Sequence, residues 1–412
     1  MESSRRKRQT NYAPAFLLII FLLLIIIILG AIHILRTSSV SHNTSSEIIS
    51  EVSSREEIIL DTSIPDNSAS EPDKVQGKSN VVVIATGGTI AGVAADEDDF
   101  TLYSPGVLSI SDMVNEISAV KSFANVTTKQ FANQSSGSTT TKNLYDLSLS
   151  VDEALKTADA VVVTCGTDIM EEIAYFLDLT VQSPKPVVVT GSMKPWNVIG
   201  TDAKINLYNA IKVAASNKTY KFGTVVVLNE EIHAAREVSK SNSHRTDAFA
   251  TPMLGMLGYV DENAVSIYRM PTRAAKSDDT WATPFDLTKI SASDIPYVGI
   301  VVAYQGAGRE SIDALVASGA KGIVTMGTGN GGISQSMLTA RNEALNKGII
   351  VVSTTRTGSG TMYSEDRDGS GLISADNLNA YHARIALELS LAYSRNYHTI
   401  QAWFEEYIRL GF

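Results

Sequence analysis

Three short segments combine hydroxyls, glycines and charges in a way suited to acyl transfer. The apolar run Val81–Ile84 leads into Ala85-Thr86-Gly87-Gly88-Thr89-Ile90-Ala91-Gly92. Paired glycines let backbone come close to a ligand, and Thr89 adds a hydroxyl at that point. A nucleotide-phosphate loop is the other reading, although G-G-x-x-x-G is not the G-x-G-x-x-G fingerprint and no Walker lysine follows. The run Ala160–Val163 likewise ends in Thr164-Cys165-Gly166-Thr167-Asp168. Here Thr167 or Asp168 also suits a helix N-cap. The third segment, Arg236-Glu237-Val238-Ser239-Lys240-Ser241-Asn242, sets a lysine among small polar residues. Such a lysine is a solvated surface charge by default; buried beside Asp168 it could serve as a base.

Strand ends are the natural place for such loops, and the surrounding pattern supplies strands. Val81–Ile84, Ala160–Val163, Pro186–Val189 and Thr224–Leu228 are short β-branched runs, followed later by Val298–Val302, Ile323–Met326 and Ile349–Val352. Runs of this length read as buried strands. Amphipathic segments lie between them: Asp168–Val181, with Ile169, Ile173, Phe176, Leu177 and Val181 on one face, then Arg309–Ser318 and Ser334–Lys347. The alternation predicts parallel sheets with helices on both faces, where ligands bind beyond the carboxyl ends of strands. Arg269–Pro296, polar and holding three prolines, reads as an interdomain linker, and Ala380–Phe412 carries two helical patterns.

The chain of 412 residues is long enough for two filled cores, and its formal net charge of −10 disfavours a nucleic-acid partner. A single cysteine, Cys165, excludes an intrachain disulfide and a Cys-rich metal site. The six histidines lack metal spacing, so no metal is expected. Near the start, Ala13–Leu35 is almost unbroken apolar sequence behind Arg5, Arg6, Lys7 and Arg8. About 20 apolar residues span a bilayer, and positive flanks stay cytosolic. A cleaved signal peptide is the alternative, but its apolar region runs to roughly 7–15 residues, so length favours an uncleaved signal-anchor. The resulting division is a cytosolic basic tail over 1–12, a transmembrane segment over 13–35 and a disordered stalk over 36–78. A first domain over 79–268, the linker over 269–296 and a second domain over 297–412 follow. Sequons at Asn43, Asn125, Asn133 and Asn217 are candidate glycan acceptors beyond the membrane.

The segments Ala85–Gly92 and Gly166–Thr180 resemble the two signature regions of bacterial-type L-asparaginases. The resemblance continues through Pro186–Pro195, Asn206–Ala210, Ser239–Asn242, Thr283–Asp286 and Gly327–Gly331, over nearly all of Asn80–Phe412. It implies an α/β fold: a larger N-terminal parallel-sheet domain of flavodoxin-like character and a smaller C-terminal α/β domain. It also implies hydrolysis of L-asparagine without a cofactor, and the signal-anchor reading puts that reaction outside the cytosol. Catalytic roles are implied for Thr89, the nucleophile, for Tyr103 on a flexible lid, and for Thr167, Asp168 and Lys240. Glu365 is implied to complete the site of a neighbouring subunit, within a homotetramer built as a dimer of dimers. Substrate contacts are implied at Gly88, Gly166, Asp168 and Ser136, with Ser135 as the rival serine. Cys165 and Gly306 stand where the family usually has histidine and asparagine, and the serine loop lacks the usual Gln or Glu. Asn133 sits inside that loop, Asn133–Thr141, so a glycan there would crowd the site, and it is expected unmodified.

Overall fold

The computed structural model describes residues 77–276, 283–362 and 371–409. The apolar run at 13–35 and almost all of the stalk, with Asn43, lie outside these residues, as does Glu365. Among the described residues no helix is long and apolar enough to cross a membrane.

The strands among the described residues are, in chain order, β1 Ser79–Gly87, β2 Val93–Ala94, β3 Tyr103–Ser104, β4 Ala124–Gln134, β5 Ala160–Thr164, β6 Val187–Thr190, β7 Thr224–Leu228 and β8 Glu231–Ala234. They continue as β9 Ser239–Lys240, β10 Phe249–Ala250, β11 Gly258–Val260, β12 Val265–Ile267, β13 Val298–Val302, β14 Gly322–Gly327, β15 Ile350–Thr355 and β16 Leu372–Ser374. The large sheet has the order β12-β11-β8-β7-β6-β5-β1-β4. From β4 to β7 it is parallel, with Val81–Ala85 of β1 paired to Ala160–Thr164 of β5. The core strand β1 alternates strictly. Val81, Val83 and Ala85 face Ile110, Met113, Leu207 and Ile211, whereas Ile84 faces the opposite layer with Leu147, Ile173 and Phe176. This period of two is what a sheet covered on both faces requires.

Three features depart from the sequence reading. The far edge of the sheet, β8, β11 and β12, is antiparallel. Asn229 and Glu230 join β7 to β8 with φ of 49° and 68°, the pair of positive values that a two-residue type I′ hairpin needs. Strand β4 carries no sequence signal because it is an edge strand, largely exposed and without an apolar run. The helix Met170–Thr180 is not amphipathic in its setting: every residue but Glu172 is buried. Its apparent polar face is covered by the helix Ala380–Tyr393.

The second sheet is all parallel, in the order β13-β14-β15-β16. Ile312, Met337, Ala340 and Ala344 of the helices Glu310–Ala317 and Gln335–Asn346 fill one face. Leu387 of the helix Ala380–Tyr393 packs on the other, together with Val298, Val324 and Ile350. That helix therefore belongs to two layers at once, and one apolar core runs through both lobes. The connecting segment also joins this core, since Phe285 and Leu287 are buried.

Candidate active site

The chain runs from β1 outward to β4 and then reverses across β1 to β5. Order 4-1-5-6-7 is the flavodoxin-type arrangement, and its switch point lies between β1 and β5. Helices and loops leave those two strands in opposite senses, which opens a crevice at their carboxyl ends. The two threonines stand on either side of it. Thr89 starts the 3-10 turn Thr89–Ala91 after β1, and Thr167 starts the turn Thr167–Ile169 after β5.

Close backbone approach builds the floor. Gly88 has φ of +84°, and a Cβ there would sit 2.4 Å from the Gly166 nitrogen. A Cβ on Gly166 would in turn meet Ser136 Oγ at 2.1 Å. Only glycine allows three strand ends to nest this tightly. Gly88 offers proximity rather than a donor, because its N–H is committed to the Gln134 carbonyl at 3.0 Å. Ser136 is half-buried against this floor, whereas Ser135 is exposed and lies 3.2 Å from the Ser138 hydroxyl.

Each threonine has its own proton partner. Thr89 Oγ1 lies 2.7 Å from the Tyr103 hydroxyl. Tyr103 reaches it from β3, which pairs antiparallel with β2 as a small flap. Asn197 fastens that flap, accepting from Ala94 N–H at 2.9 Å and donating to the Ala94 carbonyl at 2.9 Å. On the other side, Lys240 Nζ donates to Thr167 Oγ1 at 3.0 Å and to Asp168 Oδ1 at 2.6 Å. The Lys240 side chain is 15% exposed and that of Asp168 75%, so the aspartate faces the opening. The structure thus brings together Gly88, Thr89, Tyr103, Ser136, Gly166, Thr167, Asp168 and Lys240.

Cys165, one residue before Gly166, is fully buried, and burial pushes its thiol well up from its ordinary range. It packs as a small apolar residue and presents no thiolate. Gly306 has φ of +80° with open space around it. Among the described residues no group of His, Cys, Asp and Glu could hold a metal ion.

Behind the lysine lies a layer that sequence reasoning missed. Glu171 is buried, and burial raises its carboxyl above the usual range against three opposing hydrogen bonds. Those bonds come from Lys240 N–H at 3.2 Å, from Ser239, and from Asn379 Nδ2 at 2.8 Å. The available signal was a pair of glutamates, Glu171 and Glu172, opening an otherwise apolar helix.

Comparison with known proteins points to one family. The model described as asparaginase, N-terminal, matches residues 80–273, and the glutaminase/asparaginase C-terminal domain matches residues 297–404. A Bacillus subtilis protein named L-asparaginase 2 is 37% identical over 344 residues, covering 83% of this chain and 90% of its own. A Pseudomonas fluorescens protein named glutaminase-asparaginase is 33% identical, covering 82% of this chain and 94% of its own. The solved structure of a probable cytoplasmic L-asparaginase from Campylobacter jejuni superposes with a TM-score of 0.76 at 34% identity. It covers 80% of this chain and 100% of that one.

Proposed function

The chain belongs to the bacterial-type asparaginase family, and on that premise we propose that it hydrolyses L-asparagine to L-aspartate and ammonia through a threonine ester. The observation that carries the reading is the pair of hydroxyls across one crevice, Thr89 bonded to Tyr103 and Thr167 bonded to Lys240.

Thr89 Oγ1 attacks the side-chain amide carbon while its proton passes to the Tyr103 hydroxyl, which gives up its own proton toward the amide nitrogen. The C–N bond breaks, and the departing nitrogen takes a proton to leave as ammonia. A β-aspartyl ester on Thr89 remains. Water attacks that ester, a proton returns to Thr89 Oγ1, and aspartate is released. Thr167 and Lys240 stand where they can guide the proton of the attacking water. Exposed Asp168 suits the α-ammonium of the substrate. Ser136, lying against Gly166, suits its α-carboxylate better than Ser135, which is turned away toward Ser138. No cofactor takes part.

Two further parts of the reading rest on the sequence. Glu365 from a neighbouring subunit completes the site in a homotetramer of paired dimers. Exposed Met253, Leu254, Met256, Tyr268 and Met270 supply apolar surface suited to self-association. The run at 13–35 acts as a signal-anchor that places the lobes outside the cytosol, where exposed Asn125 and Asn217 can carry glycans. Asn133, whose side-chain oxygen accepts from Gln130, stays unmodified.

The test is ammonia release by the purified full-length chain with L-asparagine and L-glutamine side by side. Asparagine turnover that falls more than roughly a thousandfold in Thr89→Ala is the expected result. Comparable turnover of both amides would shift the reading to a mixed asparaginase–glutaminase, the activity that the Pseudomonas relative's name carries. No turnover of either by the folded protein would leave a non-catalytic surface glycoprotein.

A further inference from the structure

Lys240 sits on a strand of only two residues, whose ladder pairs it with Phe249 and Ser239 with Ala250. So short a ladder does little to fix a strand by itself. Yet the side chain must reach two acceptors on another loop. Besides the bonds of Ser241 to the Ala248 carbonyl, the lysine's root is held by Glu171, three residues beyond Asp168 at the start of the helix Met170–Thr180. Its Oε1 accepts the Lys240 N–H at 3.2 Å. One stretch of chain therefore grips the lysine at both ends, through Thr167 and Asp168 at the ammonium and through Glu171 at the backbone.

Glu171 is itself held from the other lobe. Its Oε2 accepts from Asn379 Nδ2 at 2.8 Å. Asn379 is the N-cap of the helix Ala380–Tyr393, its Oδ1 accepting from His382 N–H at 2.8 Å. Both ends of its amide are thus occupied. The segment leading to Lys240 is tied to the same lobe twice more, by His382 Nδ1 on the Arg236 carbonyl at 3.0 Å and by Arg236 Nε on the Ile408 carbonyl at 2.6 Å.

We propose that Glu171 and Asn379 are positioning residues, through which the C-terminal lobe holds Lys240 within reach of Thr167 and Asp168. The inference rests on the asparaginase reading for the role of Lys240, and on the bonds alone for the lysine's placement. The bonds of both residues run to Lys240, Ser239 and His382 rather than to Thr89 or Ser136. Their effect falls on turnover first, through Lys240 and Thr167, and reaches substrate affinity only through Asp168, which shares the lysine; Ser136 and Gly88 are carried by segments outside this chain of bonds.

The polarity of the contact allows a compensating swap. In Glu171→Gln the amide cannot accept from both Lys240 N–H and Asn379 Nδ2, and in Asn379→Asp two acceptors meet. Combining Glu171→Gln with Asn379→Asp restores a donor opposite an acceptor. The introduced amide nitrogen donates to the introduced carboxylate, the amide oxygen still accepts from Lys240 N–H, and the carboxylate still caps the helix at His382. In the full-length protein each single variant is expected to lower kcat roughly tenfold, with a smaller rise in KM, no more than about fivefold, through Asp168. The double variant recovers to within about threefold of wild type. Glu172→Gln is the control, since it removes the charge from the 2.9 Å ion pair with Arg384 across the same two helices but has no bond to Lys240. Its kcat should hold even if its melting temperature falls. Wild-type kcat in the single variants, an equal loss in Glu172→Gln, or no recovery in the double variant overturns the proposal. Crystal structures of wild type and Glu171→Gln test the placement without turnover. Nζ drawn out of hydrogen-bond reach of Thr167 in the variant supports it, and an unmoved Nζ overturns it. Absence of turnover in the wild type would instead sink the asparaginase reading.

Discussion

At the scale of single residues, the proposed chemistry uses atoms that the structure sets within hydrogen-bond reach of each other. Tyr103→Phe keeps the ring and removes the partner of Thr89, so kcat for asparagine is expected to fall by about 10²–10⁴. Retention of wild-type kcat would show that the 2.7 Å contact has no part in the reaction. Cys165 makes a different prediction. As the chain's single cysteine, buried with its thiol pushed up, it should resist a thiol reagent in the native protein and react fully in denaturant. Labelling of the native protein at the unfolded rate would contradict that burial. Thr89, Thr167, Asp168 and Lys240 were legible in the sequence because each sits near a glycine or among small polar residues close to an apolar run. Glu171, Asn197 and Asn379 were not, because their importance comes from partners far away in the chain. Asn379 lies 208 positions from Glu171.

At the scale of elements, the helix Ala380–Tyr393 carries two buried titratable groups that respond to pH in opposite directions. Burial and the nearby Arg236 push His382 down to about 3 from its ordinary 6.5. The unfolded chain takes up that proton first, so stability is lost as pH falls from about 6.5 toward 3, by about 1 kcal/mol per unit. Burial raises Glu388 to about 7 from 4.5, against the opposing pull of Arg384. There the folded chain holds the proton longer, so stability present below about 4.5 is lost as pH rises through about 7. The two windows overlap from about pH 4.5 to 6.5, where the opposite slopes cancel, so melting temperatures measured from about pH 3 to pH 9 should level off there and fall on either side. His382→Gln should flatten the acid limb and Glu388→Gln the alkaline one; unchanged slopes would count against this assignment. Strand and helix positions were readable wherever apolar runs met turn residues, as at Thr224–Leu228 and Val298–Val302, which match the structure residue for residue. The polar edge strand β4 and the Asn229-Glu230 hairpin were not, since neither has an apolar run or a glycine to mark it.

At the scale of the whole molecule, the segment between the lobes is part of the packing. Phe285 is fully buried and lies edge-on to Trp403 at 5.6 Å, with Tyr393 at 5.8 Å. Phe285→Ala is expected to cost about 3–5 kcal/mol of stability, read as a lower denaturant midpoint. A free linker would tolerate the change. Its three prolines and polar composition suggested only a connection, because one aromatic in a polar stretch does not reveal what it will pack against. The helix Ala380–Tyr393 has a consequence in time as well as in space. A ribosome that has finished the first lobe has already supplied both threonines, Tyr103 and Lys240. The asparagine that caps this helix emerges more than a hundred residues later, on the order of ten seconds at ordinary elongation rates. During that interval the lysine strand lacks the bond that Asn379 brings through Glu171, and on the positioning role proposed above the nascent chain would reach full activity only once the second lobe has been made.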